Sequence, residues 1–292
     1  MKILAGSSNP ELSGRLSDEL GIDLLDREVM RFPDGELYAR IDDVVKGETV
    51  LLVQSTYPDH NAMEFLILSR LLKDLGAYRI TGIIPYFGYA RQDRIFREGE
   101  SFTARTMASL IEMSADDVIC VNLHKEATLR EFRKVGKSAN VSVMADIGDF
   151  LSGFGIEYIL APDKGAVDYA REAAESCGCG FDHLEKTRID GSTVKIAPKD
   201  LEVDGKTVCI VDDIIATGGT IMKAATALRE QGAKAVYACC AHGLYTGGGM
   251  ERLKPVLDGL YSSDSIENPT SGYSAARAIS KAVKEMEGEL DG

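Results

Sequence analysis

The stretch VDDIIATGGT (Val211–Thr220) sets two aspartates at the end of an apolar run and follows them with a small, hydroxyl- and glycine-rich turn. Upstream, GKTVCIV (Gly205–Val211) is apolar and β-branched and opens on a turn glycine, which predicts a buried strand. Downstream, TIMKAATALREQGA (Thr220–Ala233) carries apolar residues at helical spacing and closes near a glycine, which predicts a helix. The unit is strand, loop, helix. Its loop offers backbone N–H groups, hydroxyls and a helix N-terminus, a combination suited to a phosphate. The carboxylates of Asp212 and Asp213 beside it suit a pair of sugar hydroxyls or a hydrated Mg²⁺. A sugar phosphate would satisfy both halves of the loop.

The same unit occurs twice. GETVLLVQS (Gly47–Ser55) aligns with GKTVCIVDD (Gly205–Asp213), and LKDLGAYRITGIIPY (Leu72–Tyr86) aligns with LREQGAKAVYACCAH (Leu228–His242). Two copies of one α/β unit account for this, and strands alternating with helices imply parallel sheets flanked by helices. Strands are expected near 2–6, 49–55, 80–86 and 117–122 in the first half, with helices near 61–75 and 103–114. In the second half strands are expected near 157–162, 206–212 and 234–241, with helices near 164–177 and 220–231. SAARAISKAVKEMEGEL (Ser274–Leu290) closes the chain as a helix. The domains are taken as 1–143 and 144–292. The copies differ at the loop: the first has Gln54 and Ser55 where the second has Asp212 and Asp213, and no Thr-Gly-Gly-Thr turn follows. Only the second half keeps the sugar-phosphate loop.

Composition bounds the rest. The chain has 292 residues, 45% hydrophobic and 27% charged, as in soluble globular proteins. No apolar run approaches the ~18 residues of a membrane span, and MKILAGSSNP lacks the apolar core of a signal peptide, so a cytoplasmic protein is expected. A net charge of −13 argues against a general nucleic-acid binder but not against nucleotides, which a few clustered basic residues can hold. Six cysteines fit a reducing compartment as free thiols, with Cys209, Cys239 and Cys240 in strand-like core runs. Cys177 and Cys179 have no second pair at metal-site spacing.

VDDIIATGGT resembles the phosphoribosyl-diphosphate signature of type I phosphoribosyltransferases. Further stretches narrow the resemblance: RFPDGELYARI (Arg31–Ile41), PYFGYARQDR (Pro85–Arg94), VNLH (Val121–His124), APDKGAV (Ala161–Val167) and EKTRIDG (Glu185–Gly191). In this order they resemble the ribose-phosphate pyrophosphokinase family over essentially the whole chain, with the short length of its archaeal members. The fold so implied is two tandem type I phosphoribosyltransferase-like, Rossmann-like domains. The activity so implied moves the diphosphoryl group of ATP onto ribose 5-phosphate, with Mg²⁺ as cofactor.

The resemblance also implies site roles, each beside a plainer reading. Lys186 becomes a catalytic lysine with Arg188 its partner, which also contacts ribose 5-phosphate; the spacing alone is equally that of a solvated surface hairpin. Asp212, Asp213, Ala216, Thr217, Gly218, Gly219 and Thr220 become the ribose 5-phosphate site. Arg91, Gln92 and His124 become ATP contacts. Asp34, Gly35 and Glu36 become an adenine-binding segment supplied by a neighbouring subunit, which would make the protein a homo-oligomer; by themselves they are a turn. His124 and Asp163 become Mg²⁺ contacts, although a histidine at a strand end is often an edge residue and Asp163 reads equally as a helix N-cap. Two rivals share the loop: a phosphoribosyltransferase that consumes phosphoribosyl diphosphate, and a catalytically silent regulatory subunit.

Overall fold

The structure, a computed structural model, describes residues 1–188, 194–198 and 202–288, and of 186–188 and 194–197 only the backbone. The chain forms two compact units, divided at Ser142 and Val143, with Ser265–Glu267 and the last helix belonging to the first.

In the first unit the elements run β1 (Lys2–Ala5), α1 (Pro10–Leu20), β2 (Arg27–Arg31), β3 (Leu37–Ile41), β4 (Thr49–Val53), α2 (Asp59–Asp74), β5 (Arg79–Ile84), α3 (Thr103–Ile111), β6 (Asp117–Val121) and β7 (Ser138–Val141). A parallel sheet has the order β1-β4-β5-β6-β7, while β2 and β3 form a separate antiparallel hairpin. The run TVLLV of β4 is apolar without alternation because helices cover both faces of a parallel sheet. Val50 and Leu52 meet Phe65, Leu68 and Leu72 of α2 and Ala108 and Ile111 of α3 in one core.

The second unit runs α4 (Met144–Leu151), β8 (Tyr158–Ala161), α5 (Val167–Cys177), β9 (Gly180–Arg188), β10 (Val194–Pro198), β11 (Thr207–Ile215), α6 (Gly219–Glu230), β12 (Ala235–Gly243), α7 (Gly249–Leu253), β13 (Gly259–Ser263) and β14 (Ser271–Tyr273). Its sheet has the order β10-β9-β8-β11-β12-β13-β14, and only the β9–β10 pair is antiparallel among the described strands. Cys209, Cys239 and Cys240 are fully buried on β11 and β12, and burial holds all three thiols well above their ordinary range.

The α/β class with parallel sheets and flanking helices is the one expected. The domain limits need one correction. The helix α8 (Ala276–Gly288) does not belong with the second half as 144–292 implied: it packs on α1, β6 and β7 of the first unit. Its buried stripe of Ala276, Ile279, Ala282 and Val283 is narrow and small, which lets it lie close to α1. Lys137 Nζ donates to the Met286 carbonyl at 2.6 Å and fixes its C-terminal end. An amphipathic pattern shows that a helix is half-buried and leaves open which sheet buries it.

Candidate active site

The order of strands in the second unit's sheet reverses between β8 and β11. The strand after β8 lies on one side of it, and the strand after β11 on the other. Chains leave such a reversal in opposite directions at the strands' carboxyl ends and leave a crevice there. Asp163 follows β8, and Asp212 and Asp213 end the apolar part of β11, so the three aspartates singled out in the second half come to this one edge.

Asp213 is buried at 5% exposure, and its N–H donates to Asp212 Oδ1 at 2.9 Å. Burial, then the Asp213 charge beside it, pushes the Asp212 carboxyl up to about 8, and the Asp163 charge adds to the effect. Two carboxyl groups packed this closely disfavour carrying two negative charges at once. Asp163 itself is exposed, and its Oδ1 accepts the Gly165 N–H at 2.8 Å. It is therefore the N-cap of the short helical turn Lys164–Ala166.

Between β11 and α6 the chain turns through Ala216–Gly218. Gly218 is the N-cap of α6 at φ 77°, the left-handed region that favours glycine. A Cβ there would lie 3.0 Å from Leu253 Cδ1, so shape as well as conformation requires glycine. The N–H groups of the first helical turn have no acceptor within their own helix, and Thr217 and Thr220 are exposed beside them. The arrangement sets N–H donors and two hydroxyls, groups that suit an anion, beside two carboxylates.

A cleft of about 490 Å³ is lined by Asp163, Lys164, Gly165, Leu184 and Glu185. Lys164 Nζ pairs with Glu185 Oε1 at 3.0 Å, and His183 Nε2 lies 3.3 Å from the same oxygen. The hydrogen bond from Lys164 holds Glu185 below the usual carboxylate range. Glu185 directly precedes Lys186. Lys186 and Arg188 lie on the backbone of β9, opposite Ile196 and Val194. Their side chains are outside the described residues.

The first unit's counterpart is blocked. Gln54, Ser55 and Thr56 at the end of β4 are all buried. Gln54 Oε1 accepts from the Ser8 N–H at 3.1 Å and from Ser8 Oγ at 2.9 Å, and Gln54 Nε2 donates to the Asn61 carbonyl. Buried Glu64 takes the Ser7 N–H at 2.7 Å and Ser7 Oγ at 2.5 Å. The buried Glu64 carboxylate takes N–H and O–H donors that a bound anion would otherwise take. The other residues singled out in this unit are exposed or half-buried. Asp34, Gly35 and Glu36 form the exposed tip of the β2–β3 hairpin, where Asp34 Oδ1 accepts the Glu36 N–H at 3.0 Å and Gly35 sits at φ 92°. Arg91 is exposed, and Gln92 Nε2 donates to the Arg94 carbonyl at 3.0 Å and to Glu100 Oε2 at 3.3 Å. His124 is half-buried in the loop after β6.

A domain model described as the N-terminal domain of ribose phosphate pyrophosphokinase matches residues 1–114, and one described as the phosphoribosyl transferase domain matches 149–276. The ribose-phosphate pyrophosphokinase of Methanopyrus kandleri is 40% identical over 294 residues, covering 99% of this chain and 100% of that one. The chain belongs to the ribose-phosphate pyrophosphokinase family. The family member from Thermococcus kodakarensis is 38% identical over 281 residues, covering 95% of this chain and 99% of its own. The crystal structure of phosphoribosylpyrophosphate synthetase from Mycobacterium smegmatis matches with a TM-score of 0.83 at 28% identity, over 99% of each chain. The two halves of this family member differ at the corresponding loops: the one after β11 is open and glycine-rich, and the one after β4 is packed with buried side chains. Sequence reasoning missed the supports of these two sites, Glu64 in the first and the segment Leu244–Leu253 in the second. Neither lies in a motif. The weak cue was a glutamate on the buried face of α2, between Asn61 and Phe65.

Proposed function

We infer that this protein is a ribose-phosphate diphosphokinase: it transfers the diphosphoryl group of ATP to the C1 hydroxyl of D-ribose 5-phosphate, giving 5-phospho-α-D-ribose 1-diphosphate and AMP. The observation that carries the inference is likeness over the full length, at 40% identity across 99% of the chain. In the reaction the C1 oxygen attacks the β-phosphorus, the bond from that phosphorus to the α,β-bridging oxygen breaks, AMP departs with that oxygen, and the hydroxyl proton is released.

The chain's own residues would divide the work as follows. Ala216–Thr220 hold the 5-phosphate through backbone N–H groups and the hydroxyls of Thr217 and Thr220. Asp212 and Asp213 accept the ribose 2- and 3-hydroxyls; two adjacent carboxyl groups at the strand end, beside the phosphate loop, support this, because a pair of carboxylates matches a diol. Lys186 and Arg188 carry positive charge to the transferring group, where charge builds in the transition state. Arg91 and Gln92 hold ATP. Asp34–Glu36 reach a neighbouring copy's adenine, a role their exposure at a hairpin tip supports. Mg²⁺ takes oxygen donors and keeps part of its water. The exposed carboxylate of Asp163 fits such an ion, whereas the His124 imidazole suits its water shell or a phosphate oxygen better than the ion itself. Bound there, the ion would neutralise polyphosphate charge.

A phosphoribosyltransferase has no use for an ATP-binding half, and a silent subunit would be expected to have lost Lys186, Arg188 or His124. A coupled assay for AMP release that depends on ribose 5-phosphate tests the reaction. Lys186→Ala should lower turnover by about 10²- to 10³-fold with calorimetric ribose 5-phosphate binding nearly unchanged. Turnover above about a tenth of wild type would remove Lys186 from the chemistry.

A further inference from the structure

The cradle Ala216–Thr220 has an underside. The Ile215 carbonyl accepts the N–H groups of Leu244 at 3.0 Å and Tyr245 at 3.2 Å, and the Ala216 carbonyl accepts the Thr246 N–H at 2.8 Å. The next carbonyl in the series, that of Thr217, accepts Arg252 Nη2 at 2.7 Å. Arg252 Nη1 donates to the Gly247 carbonyl at 2.6 Å, so one guanidinium ties the loop to the turn that supports it. The backbone of α7 lies close beneath: a Cβ on Gly249 would stand 2.9 Å from the Thr217 oxygen, and Leu253 packs under Gly218.

In a trans peptide the N–H points opposite to the C=O of the same plane. Drawing the carbonyls of residues 215, 216 and 217 down to the segment 244–252 therefore turns the N–H groups of Ala216, Thr217 and Gly218 up, toward the side left for an anion. Two of these planes are fixed by main chain. The third, which aims the Gly218 N–H, is fixed by a side chain.

We propose that Arg252 is a positioning residue for the 5-phosphate of ribose 5-phosphate: it orients the Thr217–Gly218 peptide as an anion donor without touching the substrate. The proposal rests on the reading of Ala216–Thr220 as the phosphate loop. Both distal nitrogens of Arg252 are engaged with main-chain oxygens, and a fork with two donors suits two carbonyls better than an ammonium does. Without it the peptide is free to turn, and the substrate must reorder it on binding.

The experiment compares wild type with Arg252→Met and Arg252→Lys. The side chain is exposed, so both variants should fold, and thermal unfolding checks this. The expected result for Arg252→Met is a rise of about tenfold in the KM for ribose 5-phosphate, the size of one charged hydrogen bond. The KM for ATP should stay within about twofold of wild type, beyond which a mutation removes more than uniform binding at one site. Arg252→Lys should recover part of the loss, since an ammonium reaches one carbonyl. The wild-type-to-variant ratio should hold as salt is raised, because a direct contact with phosphate would be screened and a carbonyl contact much less so. An unchanged ribose 5-phosphate KM overturns the proposal, as does a parallel rise in both KM values with a lowered unfolding temperature. A ratio that collapses in salt also overturns it, by making Arg252 a direct ligand. Ribose 5-phosphate-dependent AMP release by wild type tests the underlying reading separately. If that release is absent, calorimetric binding of inorganic phosphate to wild type and Arg252→Met still gives the ratio, and a wild type that binds no phosphate overturns both.

Discussion

Asp212 stands one residue from Asp213 on the same strand, half-buried, with Asp163 close enough to act on it. Its carboxyl, pushed up to about 8, keeps its proton in the folded chain over a range where an unfolded aspartate, with a pKa of about 3.9, has lost it. The folded state then binds more protons than the unfolded one, so the ligand-free protein should lose stability as pH rises from about 4 to about 8. Asp212→Asn removes the titration. Chemical unfolding at about pH 5 and pH 8 should show the wild type losing more than the variant, and equal losses would refute the shift. Substrate should respond the other way. Ribose hydroxyls need an ionised acceptor, so the KM for ribose 5-phosphate should fall between about pH 7 and 9, above the second ionisation of a phosphate near 6. In Asp212→Asn that fall should vanish and the KM should be high throughout.

The strands β4 and β11 are copies by sequence and neighbours of equivalent strands in their sheets, yet they end in opposite chemistry. The loop after β11 was legible in VDDIIATGGT because glycines, hydroxyls and acids have few other reasons to cluster. That the loop after β4 is filled was not legible, because the filling comes from Gln54 and from Glu64 on α2, which meet Ser7 and Ser8 only in three dimensions. Gly6 shows how tight the fit is, since a Cβ there would lie 1.9 Å from Gln54 Oε1. Gly6→Ala should therefore cost roughly 1–3 kcal/mol in urea unfolding and leave the KM for ribose 5-phosphate unchanged. Adding Gln54→Ala should recover part of the loss, because the two side chains compete for one space. Strict additivity would show that the strain lies elsewhere. The hairpin β2–β3 and the short strands β7, β13 and β14 escaped notice for a related reason: they are brief and half-exposed, and their patterns are set by neighbours remote in sequence.

At the scale of the molecule, duplication and class could be read from alternating strands and helices, while the partition of the chain could not. The prediction at this scale is self-association. Asp34–Glu36 stand exposed at a hairpin tip, and Met30 and Phe32 beside them are each 44% exposed. Light scattering at assay concentration should give a homodimer or larger species, and an active monomer would refute the role given to the tip. The last helix carries a different consequence. Ile279 and Val283 of α8 help cover α1, β6 and β7, whose residues all precede Ser142 in the chain. During synthesis from the N-terminus, at ~5–20 residues per second, the first unit must wait with one face bare while the second is made and leaves the ribosome. The half that emerges first is the half that finishes last, and a ribosome that stalls before Ala276 leaves behind a nascent chain in need of a chaperone.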